Sequence, residues 1–385
     1  MQFSWKTSAP VWSNPCCFKT PIPKIVASGR LLAVGVRPIV VATMLLGAAC
    51  TDIEPTTESG PAVVGSAYVR AMNPPILPSM EIPADNPMSP ERAALGMQLF
   101  FDTRLSDEGQ TSCETCHLPE LGWTDGKQFS TTHSGSVNSR HTPTLYNVGY
   151  YTEWYWDGRA PTLEAQVLAA WRSQVGATPE DIALRISGIP EYREQFQVHM
   201  NTGVTPEAIV QAVAAFVRTL VSADSPWDRY ELGDETAVSE DAVSGFEVFS
   251  ETANCALCHL PPLLTDTLYH NIGIGFDGEE PDMGRGAFLA RTEPSPTEEA
   301  ARLQGAFKTP TLRSITETAP YFHDGSAETL EAAVDFVLGG GHANAYLDEK
   351  LKPKELTAEQ RSQLLAFLRA LTPDHGPFQR PTLPN

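Results

Sequence analysis

Apolar residues recur at the i, i+3 and i+4 spacing in several stretches of the chain, and this spacing predicts amphipathic helices. The stretches are 90–101, 162–172, 179–187, 205–222, 239–249, 328–338 and 357–371. Four of them begin at or just after a Ser or Thr that can cap a helix, and three of these caps precede Pro. The caps are Ser89, Thr178, Thr205 and Ser239. The alternating pattern of strands is rare, so the sequence predicts a mainly α-helical protein.

Three segments between or beyond these helices have the composition of connecting chain. Residues 50–87 are rich in Pro, Thr and Ser, which is typical of a flexible tether. Residues 225–238 join two helical regions and are predicted to be a linker. Residues 374–385 are predicted to be a Pro-rich tail.

The first 49 residues have the pattern of an export signal. They contain five of the 27 Lys and Arg residues and no Asp or Glu. The run from Pro38 to Ala49 is apolar, ends in small residues and is short for a membrane span. Cys50 follows directly and resembles the lipid-modified Cys of a bacterial lipoprotein, with ordinary cleavage near Ala49 as the alternative. Because residues 1–35 are long for the basic part of a signal, we hypothesise a true start near Val36. The sequence predicts a periplasmic protein, lipid-anchored if Cys50 is modified.

The formal net charge of the chain is −20 at pH 7. Such an acidic chain disfavours binding to nucleic acid or to anionic membrane surfaces. The charge suits a cationic or dipolar protein partner, and a requirement for solubility explains it equally well.

Two units contain a pair of Cys residues followed at once by His, and together they hold four of the seven Cys. Their sequences are CETCH and CALCH. The spacing is typical of c-type haem attachment, in which both thiols form thioethers and the His coordinates the iron. The thiols are Cys113, Cys116, Cys255 and Cys258, and the proximal ligands are His117 and His259. The alternatives are a zinc site, which needs a fourth ligand from elsewhere, and a thioredoxin-like pair, which needs a βαβ context. The predicted export of the protein and the presence of two CxxCH units favour two covalently bound haem c groups.

A longer pattern repeats around these two units. Each follows a short helix that ends in Phe and precedes Thr-Pro-Thr-Leu, an Asp-Gly turn and a helix starting at Thr-Leu-Glu. Pro143 and Asp157 lie fourteen positions apart, as do Pro310 and Asp324. A period this long indicates duplicated domains rather than a solenoid. The two cytochrome c-like haem domains are predicted at 88–224 and 239–373.

The ordered motifs resemble those of the bacterial di-haem cytochrome c peroxidases and the related MauG enzymes. In this chain they read SCETCH, RHTPTLYN, WDGRA, RTL followed by DSPWDRY, CALCH, and FKTPTLR followed by TAPYFHDGS. The resemblance covers about residues 88–372. It implies that the N-terminal haem reacts with hydrogen peroxide and that the C-terminal haem relays electrons.

Matching positions carry several roles over from the family. Trp156 matches the Trp that conducts electrons between the haems, with a core aromatic residue as the alternative. Gln166 matches the distal Gln of the N-terminal haem. His133, in a Gly- and Ser-rich loop, matches the His that caps this haem in resting peroxidases, and a solvated loop His is the alternative. His141 is a competing ligand for the same iron.

The chain departs from the family at the distal acid, where the peroxidases place a Glu. A gapless alignment puts Gly176 there, and one deletion puts Gln174 there. Neither residue can accept and return a proton. Glu180 and Asp181 are the nearest carboxylates further along the chain, but nothing in the spacing shows that either reaches the site.

A second departure concerns the sixth ligand of the C-terminal haem, which is Met in the peroxidases and Tyr in MauG. The matching residue is Val337, which cannot coordinate iron. The candidate substitutes are His342, Met283 and Tyr346, and five-coordination is the alternative.

The resemblance also implies a calcium ion held by an Asn side chain and two backbone carbonyls. Thr318 and Pro320 match the carbonyl positions, but His141 stands at the Asn position. Because calcium prefers oxygen ligands, the calcium prediction rests on the two carbonyls alone.

The resemblance implies an enzyme that reduces hydrogen peroxide with electrons from a small cytochrome c or copper protein. The first alternative is a MauG-like enzyme that oxidises side chains of a partner protein. The second is a di-haem electron-transfer protein without peroxide chemistry. A homodimer is common among the peroxidases and is the implied candidate assembly.

Overall fold

The computed structural model describes residues 68–276, 278, 280–292 and 297–385, which belong to one compact unit. These residues are mainly helical, in agreement with the hydrophobic spacing. The helices in chain order are α1 (Pro90–Phe101), α2 (Leu163–Ala170), α3 (Pro179–Ser187), α4 (Pro190–Gln195), α5 (Pro206–Val217), α6 (Pro226–Glu231), α7 (Glu240–Glu247), α8 (Gly284–Thr292), α9 (Glu298–Arg302), α10 (Leu330–Leu338) and α11 (Ala358–Ala370). Two short strands, β1 (Tyr269–His270) and β2 (Phe307–Lys308), pair antiparallel. Over the described part of the chain, no helix has the length and apolarity needed to cross a membrane.

Two helix pairs cross at glycines and organise two hydrophobic cores. Helix α1 packs on α5, and a Cβ at Gly96 would lie 1.8 Å from the carbonyl oxygen of Ala212. Helix α7 packs on α11, and a Cβ at Gly245 would lie 2.0 Å from the carbonyl oxygen of Gln363. Only a residue without a side chain permits such contact between backbones. We call the apolar clusters around these crossings the first core and the second core.

Most predicted caps form as expected. The side chains of Ser89, Thr205 and Ser239 each accept a hydrogen bond from a backbone N–H in the first helical turn. Thr178 stands at the predicted cap position, but its side chain does not accept a capping hydrogen bond. Its hydroxyl donates to Asp107 at 2.9 Å, so the side chain ties the start of α3 to another loop.

The predicted helix at 162–172 has a different end from the one expected. Regular α2 ends at Ala170 and continues as a wider π turn over Trp171–Val175. Side-chain spacing alone does not reveal a wider turn. This turn carries Gln174 into the site described below.

The segments predicted as connections are folded onto the cores. In the predicted linker 225–238, helix α6 buries Trp227 and Asp228, and Asp228 pairs with Arg313. In the predicted tether, residues 68–87 contribute Ala71, Leu77 and Met80 to a third apolar cluster. The sequence misses both because the residues they pack against lie far away in the chain.

The predicted tail also packs against the rest of the protein. The ring of Phe378 stacks on Phe101 with centroids 5.5 Å apart. The predicted export signal, the start near Val36 and the lipid-modified Cys50 lie outside the described residues.

Candidate haem sites

The first core encloses a cavity of about 780 Å³. The thiols of Cys113 and Cys116 and the imidazole of His117 contribute to its wall. The unit begins with a 3₁₀ turn, Cys113–Thr115, where the hydroxyl of Thr115 accepts a hydrogen bond from the backbone N–H of Ser112 at 3.0 Å, and the backbone N–H of His117 donates back to Cys113 at 3.1 Å. The CxxCH unit is therefore held as one rigid turn facing the cavity.

His117 is fixed by one hydrogen bond. Its Nδ1 donates to the carbonyl oxygen of Trp123 at 2.7 Å, which leaves Nε2 without a proton in the neutral ring. Burial lowers the pKa of His117 below its usual value. The ring is therefore neutral near pH 7, the form that can bind a metal ion.

The second core encloses a smaller cavity, of about 240 Å³. Its wall includes Cys255, Cys258 and His259. The Nδ1 of His259 donates to the carbonyl oxygen of Leu264 at 3.0 Å, and burial lowers the pKa of this imidazole too. Each cavity thus has two thiols and one oriented, neutral imidazole.

The burial of the thiols favours haem attachment over a zinc site. Burial raises the pKa of Cys113 and of Cys255 to about 12, so both remain protonated near pH 7. Zinc binds thiolates, whereas a haem thioether has no charge to bury. Cys258, Asp266 and His270 also place possible metal-ligand atoms within 4.8 Å of one another. That cluster does not contain His259, so it is not a zinc version of the CxxCH unit.

Cationic side chains near the cavities suit a ligand that carries carboxylates. Arg140, Arg159 and Arg291 contribute to the wall of the first cavity beside three carboxylates, and more of this wall is apolar than polar; the carboxylates are Asp157, Glu280 and Asp282. Lys350, Lys352 and Lys354 contribute to the second. Haem has an apolar ring and two propionates, and the residues present fit it.

Comparison with known proteins supports the same group. A profile of the family described as di-haem cytochrome c peroxidase matches residues 90–236. The methylamine utilization protein MauG of Methylorubrum extorquens is 35% identical over 94% of this chain and 99% of its own length. The chain belongs to the di-haem cytochrome c peroxidase and MauG family. As a member of this family, it has haem as its cofactor and is a peroxidase-like enzyme.

Two further relatives show both branches of the family. Cytochrome c551 peroxidase of Nitrosomonas europaea is 35% identical over 84% of this chain and 91% of its own length. A crystal structure of a MauG-like protein associated with microbial copper homeostasis has a TM-score of 0.71 at 31% identity. It covers 78% of this chain and 95% of that one.

Trp156 lies between the two haem cavities and contributes to the wall of both. Its indole Nε1 donates to the carbonyl oxygen of His141 at 2.9 Å. Its own carbonyl oxygen accepts from the backbone N–H of Lys308 at 2.8 Å. The backbone of His141 in turn donates to His323 at 2.7 Å, which links the two halves of the protein at this point.

Gln166 and Gln174 both reach the first cavity, where His117 also lies. They come from α2 and from the π turn that follows it. The amide oxygen of Gln174 accepts from the Nδ2 of Asn138 at 2.9 Å. Glu180 and Asp181 are exposed in the first turn of α3 and do not contribute to this wall.

His133 does not contribute to the wall of the first cavity in this structure. Its imidazole is exposed and lies over Gly176, whose backbone is in the left-handed region with φ +77°. The backbone N–H of His133 donates to the carbonyl oxygen of Gln174 at 3.0 Å. The structure therefore brings His133 near the predicted distal position but outside the cavity.

Apolar side chains of α10 contribute to the wall of the second cavity, among them Ala333, Val334 and Val337. The candidate substitutes for a sixth ligand do not. His342 is exposed and packs on Phe336, and neither Met283 nor Tyr346 contributes to the wall. The structure does not bring any of these three side chains to the second cavity.

Thr318 and Pro320, the two predicted calcium ligands, contribute to the wall of the first cavity, as does His141. The Nδ1 of His141 donates to the carbonyl oxygen of Lys127 at 2.7 Å. Its Nε2 is buried without a hydrogen-bond partner. His141, which stands where the family has Asn, thus offers a nitrogen rather than an oxygen atom. The calcium ion remains a prediction.

Sequence reasoning missed the ionic groups around Trp156. Arg140 binds both Asp157, at 2.8 Å, and Asp282, at 2.6 Å. Lys308 is buried beside Trp156 and donates to the backbone of Glu153, and desolvation lowers its pKa to about 8. The Arg and Asp of RHTPTL and WDGRA were visible as motif residues, but nothing in the sequence pairs them with Asp282.

The ion pairs of His270, which contributes to the wall of the second cavity, have no sign in the sequence either. Its two ring nitrogens bind Asp266, at 2.8 Å, and Asp348, at 2.5 Å. Burial by itself lowers the pKa of His270, but its hydrogen bonds to the carboxylates of Asp266 and Asp348 raise it above its usual value. The imidazole is therefore a cation held between two carboxylates.

Proposed function

We propose that the protein is a periplasmic di-haem c enzyme that reduces hydrogen peroxide to water at the first haem. Electrons from a small cytochrome c or copper protein enter through the second haem. The observation that carries this proposal is the position of Trp156, whose indole borders both cavities. Two electrons and two protons are consumed for each peroxide, and two waters leave.

The bound haem supplies the redox chemistry, and the protein residues prepare its surroundings. Thioether bonds from Cys113 and Cys116 would hold the first haem against His117, and those from Cys255 and Cys258 the second against His259. Gln166 and Gln174 can donate hydrogen bonds to a peroxide in the first cavity. Because amides do not transfer protons, the proton must come from water or from another group.

Steady-state peroxide consumption by the purified holoprotein, with a reduced small cytochrome c as donor, tests the proposal. We expect turnover that stops when the donor is omitted. An enzyme that consumes no peroxide even after half-reduction would contradict the proposal. Mass spectrometry of the denatured protein, with two haem masses retained, tests covalent attachment.

A MauG-like reaction is the second candidate, and a specific observation favours it. Segment 163–175 contributes amide and apolar side chains, but no carboxylate, to the first cavity. An enzyme that turns over peroxide slowly suits a reaction in which oxidising equivalents pass to a partner protein instead. The test is a peroxide-dependent mass change in a co-encoded protein. Without turnover or mass change, and with six-coordinate spectra that resist small ligands, plain electron transfer would be the remaining function.

We further propose that the two halves arose by duplication. Gly96 and Gly245 occupy equivalent places in the two repeats and permit the same helix crossing. His117 and His259 donate to carbonyls six and five positions further along the chain, at Trp123 and Leu264. The periplasmic location and the lipid anchor rest on the leader sequence alone. N-terminal sequencing of the mature protein tests both.

A further inference from the structure

The tail, residues 374–385, follows α11 in the second core and crosses to the first. The imidazole of His375 stacks on Tyr146, with ring centroids 4.7 Å apart and planes 13° from parallel. Its Nε2 lies 3.1 Å from the hydroxyl of Ser314. The crossing is thus fixed by one contact to each half of the protein.

Beyond the crossing, the tail is tied to the first CxxCH unit by charge. The guanidinium of Arg380 binds Glu114, which lies between Cys113 and Cys116. It also donates to both carboxylate oxygens of Glu120, at 2.6 and 2.9 Å. Further along, the guanidinium of Arg104 donates to the carbonyl oxygen of Pro384 at 2.7 Å. The tail therefore follows the outer side of the haem-binding turn.

Between these ties, Phe378 packs on the residue that orients His117. Its ring meets the indole of Trp123 edge to face, with centroids 5.0 Å apart, and stacks on Phe101. Trp123 has a left-handed backbone, with φ +62°, which is unfavourable for a residue with a large side chain. The packed indole holds this conformation, and the conformation points the carbonyl of Trp123 at the Nδ1 of His117.

We infer that the tail tunes the first haem from outside its cavity, with Phe378 as a positioning residue that acts through Trp123. A hydrogen bond at Nδ1 makes the imidazole a stronger electron donor to iron and fixes the ring orientation. It therefore favours the ferric state and lowers the reduction potential. The inference goes beyond the proposed function and requires only that haem is bound.

The second half provides an internal comparison. The carbonyl oxygen of Leu264 accepts from His259, but it also accepts from the backbone N–H of Leu312 at 3.3 Å. Leu264 and Leu312 both belong to or pack on the second core. The carbonyl that orients His259 is thus held within its own half, whereas the residue that orients His117 packs on a segment that follows the second half.

Redox titration of the purified holoprotein, with optical and electron paramagnetic resonance detection of each haem, tests the inference. We expect Phe378→Ala to raise the potential of the first haem, to change its resonance signal and to leave the second haem unchanged. Phe378→Tyr keeps the ring and should keep the wild-type potential. The matched control is Phe246→Ala, which removes a partly buried ring from the second core, packed on Trp227 and Phe367. It should not move the potential of the first haem.

An unchanged first-haem potential in a folded Phe378→Ala protein would overturn the inference, even if the melting temperature fell. So would equal shifts of both haems. If Phe378→Ala does not fold, Arg380→Ala replaces it, and Arg361→Ala, which breaks an exposed pair with Asp335, is its control. Neither readout depends on peroxide turnover, so failure of the proposed function would leave this test intact.

Discussion

The imidazole of His133 occupies the space that a side chain on Gly176 would need. A Cβ at Gly176 would lie 2.2 Å from the Cγ of His133, and the positive φ of this glycine adds backbone strain to any replacement. The family's distal acid therefore has no room at the position that a gapless alignment gives it. Gln174, two residues earlier, reaches the first cavity.

This difference predicts where an acid can be introduced. We expect Gln174→Glu to raise the rate of peroxide reduction by about 10²-fold, because a positioned acid–base group typically contributes that much. Gly176→Glu should not raise it and should lower the melting temperature. Stopped-flow reaction of both half-reduced variants with peroxide is the measurement. Faster reaction in the Gly176 variant would show that His133 moves aside.

Trp156 is expected to couple the haems. Trp156→Phe should lower donor-driven peroxide consumption by roughly tenfold, equivalent to about 1.4 kcal/mol in the barrier, with unchanged optical spectra. Trp154→Phe is the control, because Trp154 contributes to the first cavity but not to the second. Equal losses in the two variants would mean that the indole of Trp156 has no special place in electron transfer.

Because both helix crossings depend on a glycine, replacing either glycine should destabilise the protein to a similar extent. Gly96→Ala and Gly245→Ala should each lower the free energy of unfolding by about 1–3 kcal/mol or more, since the added methyl overlaps a backbone carbonyl. Gly203→Ala, at a site with no atom within 4 Å, should change it little. Denaturant unfolding of the three variants gives the comparison. A harmless alanine at position 96 or 245 would contradict the close crossing.

The buried pair of Asp228 and Arg313 predicts acid sensitivity. Burial disfavours the charged carboxylate, but hydrogen bonds and charge from Arg313 outweigh it and lower the pKa of Asp228 below its usual value. Because the folded-state pKa is the lower one, this stabilisation is complete above the unfolded pKa of about 3.9 and is lost as pH falls through the folded pKa.

Asp228→Asn should therefore cost about 3–5 kcal/mol at pH 7 and flatten the loss of stability below about pH 4. The control is Asp335→Asn, which breaks an exposed pair with Arg361 and should cost under about 1 kcal/mol. Denaturant unfolding from pH 3 to 7 measures both. If the Asp228 variant loses stability at low pH as steeply as the wild type does, other carboxylates are responsible for the acid sensitivity.

Patterns that are local in the sequence predicted most of the helices, and the two thiols and one imidazole of each cavity. The periodicity located α1, α3 and α10, and CxxCH brought thiols and imidazole together because five consecutive residues form one turn. The π turn at Trp171–Val175 was not predictable in this way. It decides that Gln174 enters the cavity.

Long-range pairs explain most of what was missed. Arg380 and Glu114 are 266 positions apart, and Arg140 and Asp282 are 142 apart. A charged residue in a Pro-rich segment gives no local sign of its partner, so the tail was predicted as a passive extension.

The position of the tail has a consequence for how the protein matures. The first CxxCH unit leaves the ribosome early, but Phe378 and Arg380, which pack on its outer side, are made more than 260 residues later. Haem could be attached to Cys113 and Cys116 before this cover exists, while the turn is still accessible. The tail would then pack over the first haem site after both halves have been synthesised. The half that is made first would thus finish folding only after the second half has been made.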